Sequence, residues 1–136
     1  MSYEEKNTWL YLVLAAVVPA GYCVYIAGRA RETPVAELAY QRPLLTAIGV
    51  SIAASIVFGM FLGARGRERR DVRDRNINRF GEYVGFYVLA VGMLPAFALA
   101  MLEAEHFWIA NAIYGAYALN ALASSTAKII AYRRGL

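Results

Sequence analysis

Glu103, Glu105 and His106 are the residues best suited to acid-base or metal chemistry, because carboxylates beside an imidazole can hold a proton or a metal ion. A metal site requires several His, Cys or carboxylate ligands close together. The chain has one His and one Cys, Cys23, and these lie far apart in the sequence. We therefore expect an external polar cluster on a solvated turn, with no bound metal or cofactor.

Other catalytic arrangements are not visible in the sequence. Cys23 has no second Cys with which to form a disulfide within the chain or a CxxC redox pair. No Gly-rich phosphate loop precedes a helix after a strand, and no nucleophile, base and acid form a recognisable triad. The sequence therefore predicts a protein that is not an enzyme.

Polar side chains interrupt the last apolar stretch of the chain at Asn111, Asn120 and Ser124. Ion and proton pathways usually contain ionisable groups inside the membrane, and none of the apolar stretches carries one centrally. Two interpretations stay open for these residues. They form interhelical hydrogen bonds, or they line a pathway for a small solute or ion centred on Asn120.

An arginine-rich segment lies in the middle of the chain. Seven arginines from Arg65 to Arg79, against Glu68, Asp71 and Asp74, leave a net charge of +4, which equals the charge of the whole chain. The segment lacks the interleaved aromatic residues of a nucleic-acid binding surface, so we expect no nucleic-acid partner. A basic segment beside a membrane is attracted to anionic lipid headgroups. The residues expected to contact the membrane surface or a partner are Arg65, Arg67, Arg69, Arg70, Asp71, Arg73, Asp74, Arg75 and Arg79.

Four stretches without a charged residue surround these groups, at residues 9–28, 44–64, 83–102 and 107–127. Each has about 20 residues, the length that an α-helix needs to cross a hydrocarbon core of about 30 Å. The chain is 60% apolar, against roughly 45–50% in soluble domains. The sequence predicts an all-α, four-transmembrane-helix bundle, with residues 1–136 as one integral membrane domain and a basic loop at 65–82.

The basic residues also predict the orientation of the bundle. If the basic loop is cytoplasmic, 11 Lys and Arg residues lie inside, whereas only Arg29, Arg31 and Arg42 lie outside. Both termini are then cytoplasmic, which gives an N-in, C-in topology in a bacterial inner membrane. Opposite charges at i, i+4 spacing further suggest that the third helix extends into the cytoplasm from near Arg70.

Small residues at four-residue spacing predict faces on which helices pack closely. The second span carries one such stripe and the entrance of the third span carries another. The residues are Ser51, Ser55, Gly59 and Gly63 in the former, and Gly81 and Gly85 in the latter. We expect these faces to pack within the chain or between copies of a homo-oligomer.

The first connection, between the first and second spans, predicts a short interfacial helix, with Thr33 as its N-cap and an end near Tyr40.

One segment of the chain resembles the DxRDxxIxxxGxxxG signature of a group of small, uncharacterised bacterial four-helix membrane proteins. This segment is "DVRDRNINRFGEYVG", and its matching residues are Asp71, Arg73, Asp74, Ile77, Gly81 and Gly85. The stretches "EAEHFWIANAIY" and "AKIIAYRRGL" are similar to actinobacterial members of that group. The resemblance implies a four-helix architecture and a cytoplasmic regulatory protein as a possible partner. It implies no activity.

Three functions are compatible with these patterns. The first is a non-enzymatic interaction or regulatory protein that acts through its cytoplasmic Arg/Asp-rich loop. The second is a small transporter or channel centred on Asn120. The third is a lipid-binding membrane protein whose basic loop holds anionic headgroups.

Overall fold

The computed structural model describes residues 3–65 and 72–135, with side chains to residue 62 in the first range. These residues form four α-helices and contain no strand. The helices are α1 (Tyr3–Ala30), α2 (Gln41–Arg65), α3 (Val72–Met101) and α4 (His106–Arg134), and a 3₁₀ turn (Val35–Glu37) lies between α1 and α2. The all-α, four-helix prediction is therefore confirmed for the described part of the chain.

Three of these helices are long and apolar enough to cross a membrane, namely α1, α2 as far as Leu62, and α3. The helix α4 is also long, with 29 residues, but Asn111, Asn120 and Lys128 make it more polar. Its position explains this composition. It packs along α3 and also against α1, so its polar side chains are shielded by neighbouring helices.

The helices are arranged so that α4 and α1 lie at the centre of the packing. The helix α2 packs against α1 but makes little direct contact with α3, although α3 follows it in the chain. A gap therefore remains between α2 and α3. A cavity lies beside this gap.

The beginning of α1, the beginning of α3 and the end of α4 lie together at one end of the bundle. The guanidinium of Arg133 lies 5.4 Å from the centroid of the Trp9 ring. The Tyr132 hydroxyl donates a hydrogen bond of 3.0 Å to Asp74 Oδ1. We call this the terminal end of the bundle. The helix α3 runs without a break from Val72, which agrees with the extension predicted before residue 83.

The opposite end of the bundle is closed by an apolar cluster that includes the first connection. Its buried members are Tyr22, Ile26, Leu38, Leu44, Ala47 and Phe107. The predicted interfacial helix is wrong in extent, because only Val35–Glu37 form a 3₁₀ turn and Pro34, not Thr33, is its N-cap. Leu38 leaves the turn in an extended conformation and is buried, and the Tyr40 ring meets the edge of Phe107 at 5.3 Å. Packing of these two side chains prevents the turn from continuing.

Candidate ligand cavity

A cavity of about 1030 Å³ lies between the four helices, on the side where α2 and α3 barely touch. Its volume is at the upper end of the roughly 300–1,000 Å³ that is usual for small-molecule sites. Phe86 and Tyr117 line it and are nevertheless 64% and 56% exposed. The cavity is open to its surroundings, and α2 and α3 leave a gap beside it.

The walls of the cavity are mostly apolar. Leu14 and Ala15 of α1, Ile48 and Ile52 of α2, and Ile113 of α4 contribute to them. Small side chains on α1 and α4 leave the space that larger residues would fill. An apolar ligand would therefore be stabilised along most of the length of this cavity.

Two partly buried hydrogen bonds lie near the closed end of the cavity. The Tyr22 hydroxyl donates to Asn111 Oδ1 at 2.6 Å, and Asn111 Nδ2 donates to the Phe107 carbonyl at 2.7 Å. The Tyr114 ring meets Tyr22 edge-on at 5.2 Å and lines the cavity, and its hydroxyl is buried without a hydrogen-bond partner in the described residues. Asn111 therefore joins α1 to α4 and does not line the cavity itself.

The other end of the cavity, nearer the terminal end of the bundle, is polar. It is lined by Thr8 of α1, Glu82 of α3, and Asn120, Ser124, Ser125 and Lys128 of α4. Thr8 Oγ1 donates to the Glu4 carbonyl at 2.8 Å, and Glu82 accepts a bond of 3.0 Å from Asn78 Nδ2. The four α4 side chains make no hydrogen bond with any described residue. The cavity thus combines apolar walls with one end rich in polar side chains that have no hydrogen-bond partner among the described residues.

The close crossing of α3 and α4 depends on glycines of α3. Gly81 and Gly85 are buried, and a Cβ at Gly85 would overlap Asn120 Oδ1 and lie 3.0 Å from Ser124 Cβ. At Gly92, a Cβ would lie 3.1 Å from Ala116 Cβ. At Gly81 the nearest atoms would be those of the Lys128 side chain. Gly81 and Gly85 therefore lie at a helix contact, as their spacing suggests.

The small-residue stripe of α2 lies in different surroundings. Ser51 and Ser55 line the cavity, and Ser55 Oγ donates to the Ser51 carbonyl at 2.7 Å. A Cβ at Gly59 would meet no atom within 4 Å, and Gly63 lies outside the described side chains. The stripe therefore borders the cavity and makes no close helix contact at Gly59 within the described chain.

Only part of the arginine-rich segment lies within the described residues. Arg73 Nη2 donates to the Tyr132 carbonyl at 3.3 Å, so Arg73 and Asp74 both join the start of α3 to the end of α4. Burial, together with the hydrogen bond to Asp74, raises the pKa of the Tyr132 hydroxyl above its ordinary value near 10. Arg75 and Arg79 are exposed. The side chain of Arg65 and the whole of Arg67, Arg69, Arg70 and Asp71 lie outside the described residues.

The external polar cluster lies on the turn between α3 and α4. Glu103, Glu105 and His106 are exposed there, and Glu103 has a φ of 53°. The amide of Ala104 donates to the Leu99 carbonyl at 3.0 Å, so the turn caps the end of α3. Within residues 3–65 and 72–135, no three metal-ligating side chains come close enough together to hold an ion.

Sequence reasoning grouped Asn120, Ser124 and Ser125 but missed Lys128, Glu82 and Thr8 at the same end of the cavity. A signal for Lys128 was present, because Asn120, Ser124 and Lys128 are spaced i, i+4 and i+8 along one face of α4.

In comparisons with known proteins, no family model, no curated protein and no solved structure matches this chain. The functional argument therefore depends on the cavity itself.

Proposed function

We propose that this chain is a non-enzymatic, multi-pass protein of the bacterial inner membrane that binds an alkyl-chain amphiphile in the cavity between α2 and α3. One observation carries the proposal, namely an apolar cavity of about 1030 Å³ that is open to its surroundings beside a gap between helices long enough to span a bilayer. A ligand can enter such an opening from the hydrocarbon region without first crossing water.

The shape of the cavity favours binding over conduction. The apolar cluster around Leu38 and Phe107 packs over one end of the bundle, and Leu44 belongs both to that cluster and to the cavity wall. A solute pathway would need polar groups continuing through this end. The polar groups without a hydrogen-bond partner among the described residues are instead concentrated toward one end, around Asn120 and Ser124, whereas the Tyr114 hydroxyl lies nearer the closed end. This arrangement suits a molecule that has one polar end and one apolar end.

The proposed topology has four spans, with α4 as the fourth, and both termini in the cytoplasm. The terminal end of the bundle then lies on the cytoplasmic side, where the excess of Lys and Arg favours it. The polar end of the cavity would be at the level of the cytoplasmic headgroups. The closed end would face outward.

Binding of hexadecanol tests this function, because the probe has an alkyl chain and no charge. We expect native mass spectrometry of the purified protein to show retained hexadecanol that survives mild activation. Ala15→Phe places a large side chain in the cavity, whereas Ala16→Phe adds the same side chain at the neighbouring exposed position. Retention should be lost in the first variant and kept in the second. Equal retention in both variants, or none in the natural protein, would refute the proposal.

A second candidate function is docking of a cytoplasmic protein or of anionic headgroups on the first turns of α3. The exposed guanidinium groups of Arg75 and Arg79 favour it, since neither makes an ion pair with a described residue. Arg75→Gln with Arg79→Gln should weaken association of the reconstituted protein with added anionic vesicles, and the loss should diminish at high salt. Association that is unchanged by both the variant and the salt would exclude this candidate.

A further inference from the structure

The polar end of the cavity contains one ammonium group, that of Lys128. Its side chain is half-buried, and its methylene groups lie over Gly81, where a Cβ would come within 2.9 Å of Lys128 Cδ. The absence of a side chain at Gly81 therefore makes room for the lysine stem between α3 and α4. The stem packs against apolar surface while the ammonium reaches the end of the cavity, as lysines at a membrane interface commonly do.

The ammonium of Lys128 makes no hydrogen bond or ion pair with any described residue. Burial lowers the pKa of the Lys128 ammonium, and the carboxylates of Glu82 and Glu4, which are near enough to favour its positive charge, offset part of this effect. Glu82, however, is exposed and accepts its hydrogen bond from Asn78. The hydroxyls of Ser124 and Ser125 lie one turn before Lys128 on α4, and the amide of Asn120 lies about two turns before it along the same cavity wall.

We infer that Lys128 binds the anionic headgroup, a carboxylate or a phosphate, of the amphiphile whose alkyl chain occupies the cavity. This inference rests on the proposed function, because it concerns the same cavity. A partly buried ammonium, with the hydroxyls of Ser124 and Ser125 one turn before it, provides charge-assisted hydrogen bonds to such a headgroup. Along α4, Lys128 lies 18 residues from Ala110 at the closed end. This separation is about 27 Å, so the chain can lie along the apolar wall while the head meets Lys128.

The nearby carboxylates limit how strongly an anion is preferred. Glu82 and Glu4 repel a negative headgroup while Lys128 attracts it. We therefore expect a preference of about tenfold for an anionic over an uncharged headgroup, at the lower end of the range for charge-assisted hydrogen bonds.

Three sixteen-carbon probes that differ in the charge of the headgroup test the inference, namely hexadecanoic acid, hexadecanol and hexadecylamine. Competition against isotope-labelled hexadecanol can be followed by native mass spectrometry. Hexadecanoic acid should displace the labelled probe at about a tenth of the concentration that unlabelled hexadecanol requires. Hexadecyl phosphate should behave like the acid, and a clear difference between the two would identify the preferred headgroup. Inorganic phosphate, which has the charge without the chain, should displace nothing.

The lysine variants assign the preference to one side chain. Lys128→Met should remove the preference for the acid over hexadecanol, and Lys128→Arg should retain the preference. Lys6→Met is the matched control, because Lys6 is exposed on α1 at the terminal end and does not line the cavity. It should bind all three probes as the natural protein does.

Several outcomes would overturn the inference without affecting the proposed function. Hexadecanol and hexadecanoic acid could bind equally, hexadecylamine could bind most tightly, or Lys128→Met could retain the preference. The comparison of probes on the natural protein refutes or supports the inference even if a variant fails to fold. Failure of hexadecanol to bind at all would instead refute the proposed function.

Discussion

A methyl group added at Gly85 is expected to destabilise the bundle, because this glycine lies where α3 and α4 approach closely. The new Cβ would overlap Asn120 Oδ1, lie 3.0 Å from Ser124 Cβ and lie 3.4 Å from the Asn120 carbonyl oxygen. The amide side chain of Asn120 can rotate away, but Ser124 Cβ and the carbonyl oxygen move only if the helix moves. The two helices must therefore separate slightly or strain a side chain.

The expected magnitude combines two opposing effects. Overpacking of a close contact costs about 1–3 kcal/mol. Replacing a helical Gly by Ala contributes roughly 0.5–1 kcal/mol in the opposite direction, because Ala has the higher helix propensity. We expect Gly85→Ala to lower the free energy of unfolding by about 0.5–2 kcal/mol.

Gly59→Ala provides the matched control for this substitution. A Cβ at Gly59 meets no atom within 4 Å, so only the propensity gain of roughly 0.5–1 kcal/mol remains. Unfolding of both variants can be measured by circular dichroism in mixed micelles with a rising fraction of denaturing detergent. The change in Gly85→Ala should be partly reversed by adding Asn120→Ala, which removes one of the contacted atoms. If Gly85→Ala is stabilised as much as Gly59→Ala, the close crossing of α3 and α4 is refuted.

Further predictions concern other contacts and the orientation of the chain. Tyr132→Phe should lower the free energy of unfolding by about 0.5–1.5 kcal/mol. It should also reduce the loss of stability above pH 10, because the raised pKa of Tyr132 favours its neutral form in the folded state; an unchanged alkaline profile would contradict this. Glu103→Gly should stabilise the protein by about 1 kcal/mol, since a non-glycine residue at φ 53° is strained, and a measurably lower unfolding free energy would argue against that strain. With Cys23→Ser as background, a membrane-impermeant thiol reagent added to intact cells should label Glu105→Cys and not Arg79→Cys, and the reverse pattern would disprove the N-in, C-in topology.

Much of the helical architecture could be predicted from where charged residues do not occur. The charge-free stretches beginning at Trp9 and Leu44 lie inside α1 and α2, and the one beginning at Tyr83 lies in α3 except for its last residue. All three helices are apolar enough to span a membrane. The helices extend beyond these stretches, because charged residues such as Glu4 and Arg73 continue the first turns at the terminal end. The fourth stretch is helical as predicted, but it is more polar than the others since α4 is covered by two neighbours. The identity of that helix as a span remains a prediction.

The cavity could not be predicted in the same way, because it depends on which helices fail to touch. Sequence patterns identify a packing face on each helix but do not say which partner the face meets. Both the α2 stripe and the α3 glycines have the residue spacing of a helix contact. Ser51 and Ser55 of the α2 stripe nevertheless border the cavity, whereas the α3 glycines pack on α4. Asn120 looked like either a hydrogen-bonding residue or a pathway residue. It packs on Gly85 and also lines the cavity, which neither expectation described fully.

The glycines of α3 connect the packing of this bundle to its proposed ligand site. Gly85 and Gly92 face short side chains and backbone atoms of α4, so they set the distance between the two helices. The nearest neighbour of Gly81 is the flexible stem of Lys128, so this glycine makes room for the lysine. Because α3 is held on α4, α2 is left with α1 as its main neighbour, and the space between α2 and α3 stays open. The small residues of α3 therefore allow α3 to pack closely on α4, and the space between α2 and α3 stays open. The same spacing also leaves room for the Lys128 stem, whose ammonium lies at the end of the cavity.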